Sequence, residues 1–396
     1  MSSTNRFNQP IRGDFTQTEF GPPTDRAVLI RAHQAAAEFF REHLHSKTGT
    51  PPRSYIHNRG LSHVLRSPRW EIGYATPAWT GLTDHLRRTG FDDEELVASG
   101  LSLNTRRRTL IDRFRDRITL GIHNEHDELI AFIARAAPHA QDNVPKYLNS
   151  PRTTLYHKSE TLFGLAEQLG RLEHGAVPVL VEGPLDVLAL DTAAPEAFVG
   201  LAPCGTALTH LQVAALTRHA NQRVLVAFDA DPAGKHASIN AIELLQPRFT
   251  ETLAAELPAG SDPADMLTLD DGGVRLGKAL REPRPFDDLV VDDAIRPWKD
   301  QLDNAEAKVA ALRSASRRLA ATPPADIAHQ AGRLAKMLDL GHQTVAAELA
   351  SAVHDHAASR CQTVATIRSR VLSTGMGSSP LLNAAKLDAR SFTQRL

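Results

Sequence analysis

At 396 residues, with 42% hydrophobic and 23% charged side chains, the chain is long enough for two or three globular domains with a sizeable core. Two cysteines far apart, Cys204 and Cys361, exclude a disulfide framework and a four-cysteine zinc site, and a net charge of −1 excludes a globally basic field. The start "MSSTNRFNQP" lacks a signal-peptide pattern and no apolar run approaches the roughly 18–20 residues of a membrane span, so a cytoplasmic protein with no membrane partner is expected.

Residues 1–26 carry Gly, Pro, Thr and Asn without periodicity and read as a flexible lead-in. "TDRAVLIRAHQAAAEFFREHLHS" then has the apolar spacing of an amphipathic helix, with Thr24 or Asp25 as N-cap. From there to 170, short helical patterns alternate with extended ones such as "ITLGIHN" and "ELIAFIARA", which predicts a mixed α/β subdomain over 27–170. Over 171–285 the pattern changes to short apolar strands, "VPVLVEG", "EAFVGLAP", "RVLVAFDAD" and "ETLAAELPAG", each followed by a helical stretch; that alternation predicts an α/β domain with a mostly parallel sheet flanked by helices. Residues 286–360 are Ala- and Leu-rich and read as a helical region, with "LDNAEAKVAALRSASRRLAA" as one helix and "PPAD" starting another; 361–396 reads as a loose, disordered tail. Charge follows the same division. Residues 51–158 hold sixteen Lys/Arg against twelve Asp/Glu, and residues 182–300 hold ten against nineteen, as suits a protein that grips phosphates with one part and holds cations with another.

Carboxylates sit at three of the expected strand ends: Glu182 with Asp186 a turn later, Asp229 with Asp231, and Asp262 with Asp265 in "GSDPADML". Residues i and i+2 of an extended run face one side, so Asp229 and Asp231 can point together into one crevice. Such a pair is costly unless a cation lies between them, and an all-oxygen donor set suits Mg²⁺ or Mn²⁺ and phosphoryl transfer. Gly183 and Gly205 would let backbone approach a phosphate closely. Taken singly, Asp186 and Asp265 read equally as turn formers or helix caps.

The order "VLVEGPLDVLAL", "LAPCGTALT", "VLVAFDADPAGKHAS", "LPAGSDPADML" resembles a Toprim domain. The upstream "SYIHNRGLSHVLRSPRWEIGYA", "LIDRFRDRITLGIHNEHDELIAFIARA" and "PKYLNSPRTTLYHKSETLFGL" are similar, in order, to the basic half of the DnaG-type bacterial primase catalytic core. The resemblance implies that Glu182 is the general base or a metal ligand, that Asp229, Asp231 and Asp262 bind metal with Asp186 beside them, and that Lys146 and Lys158 contact the incoming triphosphate or template. It places Arg113, Arg115, Arg117 and Arg135 on the template-binding side. The activity implied is synthesis of short RNA primers on single-stranded DNA from nucleoside triphosphates; a Toprim nuclease, or a non-catalytic single-stranded-DNA-binding accessory protein in replication or conjugation, is the alternative.

This sequence departs from the family pattern in several places. Residues 1–26 contain no Cys or His, so the family's zinc ribbon is expected to be missing and no zinc is assigned. "EGPLD" stands where the family commonly has Gly-Tyr-Met-Asp, "FIAR" where two glycines usually precede the arginine, and Asp265 lies three positions after Asp262 rather than two. These point to a primase of a plasmid, phage or mobile element, with a replicative helicase or a separate zinc-ribbon protein as partner. His123 and His126 read as turn residues between two strands, and Cys204 as a small buried side chain.

Overall fold

A computed structural model describes residues 25–137, 144–205, 207–220, 222–228, 244–258, 260–320 and 324–373, together with 237, 240, 241 and 322. The chain forms two compact units, the second beginning at Phe286. Helix α1 (Arg26–His45) starts on Asp25, whose carboxylate accepts the Ala27 amide, and its buried stripe of Leu29, Ala32, His33, Ala36, Phe40 and Leu44 has the spacing of one helix face. After α2 (Thr50–Asn58) come β1 (Ile72–Ala75), α3 (Gly81–Arg88), α4 (Asp93–Ala98) and the short hairpin β2 (Ser102–Asn104) and β3 (Leu110–Asp112). The longer hairpin β4 (Arg117–His123) and β5 (Leu129–Ala136) follows, then β6 (Tyr147–Asn149); these join β1 in an antiparallel sheet of order β1-β4-β5-β6, against which α1 packs. His126 lies in the turn between β4 and β5, as expected, and His123 is the last residue of β4.

The second sheet explains where the acids fall. Beyond β7 (Leu162–Phe163) and α5 (Leu169–Glu173) run β8 (Val177–Leu180), α6 (Pro184–Ala193), β9 (Phe198–Pro203), α7 (His210–Thr217), β10 (Arg223–Val226) and β11 (Glu251–Ala254). Next come α8 (Pro263–Met266), α9 (Gly272–Arg281) and β12 (Arg284–Pro285). The sheet order is β12-β11-β10-β8-β9-β7, with β11, β10, β8 and β9 mutually parallel and both edge strands antiparallel. The chain steps from β8 to β9 on one side and returns to β10 on the other, so the strand order reverses between β8 and β10. Ligands of open α/β sheets bind outside the carboxyl ends of the strands at such a reversal.

α6 is buried over most of its surface, Leu185, Val187, Leu188 and Leu190 together with Asp186 and Asp191, because it is covered by β9, α8 and α9. It lies so close to β9 that a Cβ at Gly200 would come 2.9 Å from the Val187 Cα. One hydrophobic core runs from Leu44, Ile56 and Trp70 through Ile118 and Ile133 to Val179, Val181 and Leu188, which unites 27–170 with 171–285. The boundary expected at 170/171 therefore cuts α5; the change to parallel strands comes after it, at β8.

The second unit is helical, as expected from residue 286: α10 (Phe286–Ile295), α11 (Ala305–Leu319), α12 (Pro324–Leu338) and α13 (His342–Ser373) enclose Val291, Leu312, Leu319, Leu334 and Leu349. One expectation fails here. The tail assigned to 361–396 is helical as far as Ser373, because no Gly or Pro interrupts the sequence before Gly375. Residues 1–24 and 374–396, expected as flexible ends, lie outside the described residues.

Candidate active site

Glu182 is exposed and lies two residues past the end of β8, where the chain turns into α6 with Pro184 at its first position. The Leu180–Val226 register sets the end of β8 beside the end of β10, the strand that leads to Asp229, and Ala254 of β11 pairs with Val226 on the far side. Asp229 and Asp231 themselves lie outside the described residues. Asp262, half-buried, caps α8 by accepting the Asp265 amide at 2.5 Å.

Asp186 is buried, 6% exposed, and its carboxylate joins two of these turns. Oδ2 accepts the Gly183 amide at 3.0 Å and Oδ1 accepts the Ala264 amide at 3.1 Å, so the Glu182 turn and the Asp262 turn hang on one side chain. That geometry makes Asp186 a brace between acid-bearing turns. Among the described residues no three His, Cys, Asp or Glu side chains stand together as a metal group; Glu182 and Asp262 would offer carboxylate oxygens, the donor type that fits a hard divalent cation.

The basic side of the site comes from the antiparallel sheet. Arg135 and Tyr147 are cross-strand partners on β5 and β6; Arg135 Nη1 donates to the Tyr147 hydroxyl at 3.1 Å, and its guanidinium lies 5.4 Å from that ring and 5.2 Å from the Tyr55 ring. The Tyr147 hydroxyl reaches the Gly183 turn, 3.6 Å from where a Cβ would stand, and burial raises its pKa, against the pull of Arg135. Lys146 is exposed at the start of β6.

Lys158 is half-buried; its carbonyl accepts from Gln212 Nε2 at 2.9 Å, which docks its loop on the capping box of α7. Burial first, and Arg113 second, lower the Lys158 pKa. Arg113 donates twice to the Asn149 carbonyl, at 3.0 and 2.7 Å, and burial lowers its pKa to about 10, still charged at neutral pH. Asn149 lies against Gly205, whose φ of +75° favours glycine and where a Cβ would come 2.6 Å from Asn149 Nδ2; the close neighbour there is the protein's own amide.

The arginines of "DRFRDR" divide. Arg115 donates to the Asp112 carbonyl and lies 4.5 Å from the ring of Trp79, which is 43% exposed. Arg117 is 5% exposed and donates to the carbonyls of Ala134 and Pro145, so its guanidinium ties β4 to the chain entering β6. Four residues of the site escaped the sequence reading: Arg59, Tyr55, Trp79 and Asn149. Trp79 lies far from Arg115 along the chain, and Arg115 itself sits in the loop between β3 and β4, so no local pattern announces their pairing.

A mostly parallel sheet with the Glu182 and Asp262 turns beyond its strand ends, sharing one hydrophobic core with a basic antiparallel sheet, defines the class of the fold as a two-sheet α/β core. Residues 39–169 match the DNA primase catalytic core, N-terminal domain, and residues 179–267 match the Toprim-like family. The chain is 36% identical over 295 residues to a DNA primase of Mycolicibacterium smegmatis, covering 73% of this chain and 45% of that protein, and 34% identical over 327 residues to one of Streptomyces coelicolor, covering 80% and 49%. It thus spans about half the length of these curated relatives. Among solved structures, the RNA polymerase domain of Mycobacterium tuberculosis primase DnaG in complex with double-stranded DNA matches with a TM-score of 0.70 and 32% identity, over 80% of this chain and 99% of that one. A DnaG primase catalytic domain bound to single-stranded DNA matches with a TM-score of 0.64 and 26% identity, over 81% and 98%. The chain belongs to the DnaG-type primase catalytic-core family.

Proposed function

We propose that this chain is a primase that joins ribonucleotides into short primers on single-stranded DNA. The observation that carries the reading is the Asp186 bridge, which holds the Glu182 and Asp262 turns together beside the strand reversal. Mg²⁺ or Mn²⁺ bound by Glu182, Asp229, Asp231 and Asp262 would neutralise charge on the phosphate oxygens and ease ionisation of the attacking 3′-hydroxyl. Glu182, exposed at the turn, takes the hydroxyl proton or shares in holding the metal. Lys146, Lys158 and Arg113 offset the charge of the triphosphate as pyrophosphate leaves. Asn149 Oδ1, buried and without a hydrogen-bond partner among the described residues, offers an acceptor to the nucleotide. Arg135 and the Arg115–Trp79 pair serve the template, the guanidinium and indole forming a platform of the kind that stacks unpaired bases.

Partners in this reading are template, nucleoside triphosphates and a replicative helicase or zinc-ribbon protein, in the replication of a plasmid, phage or other mobile element. The test is de novo synthesis on mixed single-stranded templates with labelled nucleoside triphosphates and Mg²⁺ or Mn²⁺. Short metal-dependent products are expected from the wild type and not from Asp229→Asn/Asp231→Asn. Metal-dependent cleavage of the template without synthesis would make the chain a nuclease; template binding without either reaction, also with helicase and zinc-ribbon proteins added, would make it an accessory binder.

A further inference from the structure

Asp265 lies in the acid-bearing turn, yet its Oδ1 accepts a hydrogen bond from Arg59 Nη1 at 2.5 Å. Arg59 ends α2, and its guanidinium lies 5.4 Å from the centroid of the Tyr55 ring, the same ring that Arg135 approaches. Asp262 also acts on it electrostatically: burial alone would lower the Arg59 pKa, and Tyr55, Asp265 and Asp262 together raise it. The next residue, Gly60, has φ +72°, and a Cβ there would come 3.1 Å from the Leu267 carbonyl just past α8. The end of α2 is thus seated on α8 by an ion pair and by a backbone approach that favours glycine.

We infer that Arg59 is a positioning residue that sets the Asp262 turn for template-directed synthesis, and that Asp265 is its anchor and not a ligand. Asp186 ties this turn to Glu182 from within; Arg59 holds it from the opposite half of the core. Ala264, between Pro263 and Asp265, carries no carboxylate, and its amide is committed to Asp186. Asp265, one residue on, is neutralised by a guanidinium and adds no net charge to the cluster.

The inference rests on the metal-dependent reading above, so it is read first from binding of Mn²⁺ alone to the full chain by calorimetry, with urea unfolding as the control on the fold. Arg59→Gln and Asp265→Asn are each expected to change Mn²⁺ affinity by less than about fivefold, the scale of a partly exposed ion pair. Template-directed synthesis should meanwhile fall by about tenfold or more, as misplaced catalytic groups do. The charge reversal Arg59→Asp/Asp265→Arg should recover most of that loss, and Arg59→Lys serves if Arg59→Gln does not fold. An Asp265→Asn chain that alone loses about tenfold or more in Mn²⁺ affinity would make Asp265 a ligand and overturn the inference. A folded charge-reversed chain no more active than the weaker single variant would overturn it too. If the wild type binds Mn²⁺ but makes no primer, the primase reading fails while the brace is still judged: a double-mutant cycle on unfolding that shows no coupling between Arg59 and Asp265 would sink it.

Discussion

Asp186 and Asp265 show how one residue type serves different ends within a few ångströms of the same site. The cap that Asp186 gives the Gly183 amide was legible as a local pattern; its bond from the Ala264 amide and the Arg59 contact of Asp265 were not, because each depends on a partner distant along the chain. The place of Glu182 just past a strand end was legible because an apolar strand followed by an acid and a turn is a local pattern. His33 was not legible as a buried titratable group; in the sequence it is one polar residue on an otherwise apolar helix face. It stacks on Phe132 at 5.9 Å, its Nδ1 meets the Leu29 carbonyl at 2.8 Å, and burial lowers its pKa to about 4. Between pH 6.5 and 4 the unfolded chain therefore takes up a proton that the folded chain refuses, so stability falls with acidification across that window. By linkage this contributes about 3 kcal/mol. Urea unfolding at pH 7 and pH 4 is expected to show that component in the wild type and to lose it in His33→Leu; an unchanged pH dependence in the variant would assign the loss to other groups.

At the scale of elements, the strands β8, β9, β10 and β11 and the helices α1 and α11 stand where the hydrophobic period placed them, since a two-sided apolar run and a 3.6-residue stripe are strong local signals. Burial is continuous across 170/171, and periodicity says nothing about which faces meet. Asp191, near the end of α6, makes that union specific. Its carboxylate accepts from Arg69 at 2.7 Å, Arg171 at 2.9 Å and Trp70 Nε1 at 2.8 Å, so it ties α6 and α5 to the chain entering β1. Burial alone would raise its pKa; His63, Trp70, Arg69 and Arg171 override that and hold it below the ordinary carboxylate value. Its contribution is therefore fully present above the unfolded value of about 3.9 and is lost as pH falls through the lower folded one. Asp191→Ala strands two guanidiniums and an indole N–H around a buried gap, and a loss of about 3–5 kcal/mol is expected in urea unfolding at pH 7. A loss below about 1 kcal/mol would mean that Arg69 and Arg171 find water instead.

For the molecule as a whole, the uneven charge along the chain acquires a spatial meaning: the basic segment forms the antiparallel sheet, the acids lie at the carboxyl ends of the parallel one, and both belong to the first unit. That unit ends well for an independent fold. Its last strand, β12, pairs only through β11 at the sheet edge, and Pro285 there lacks the amide that would invite a further strand. A fragment ending at Pro285 is accordingly expected to unfold in one cooperative urea transition and to bind single-stranded DNA with the salt dependence of the full chain. Because single-strand binding releases about 0.7 counterions per phosphate neutralised, Lys146→Gln, exposed at the start of β6, should lower the slope of log K against log salt by roughly that amount in both fragment and full chain. Equal slopes with an equal drop would place the template contacts within the first unit. A fragment that folds but shows a flatter slope would mean that the helices from Phe286 onward also hold phosphates.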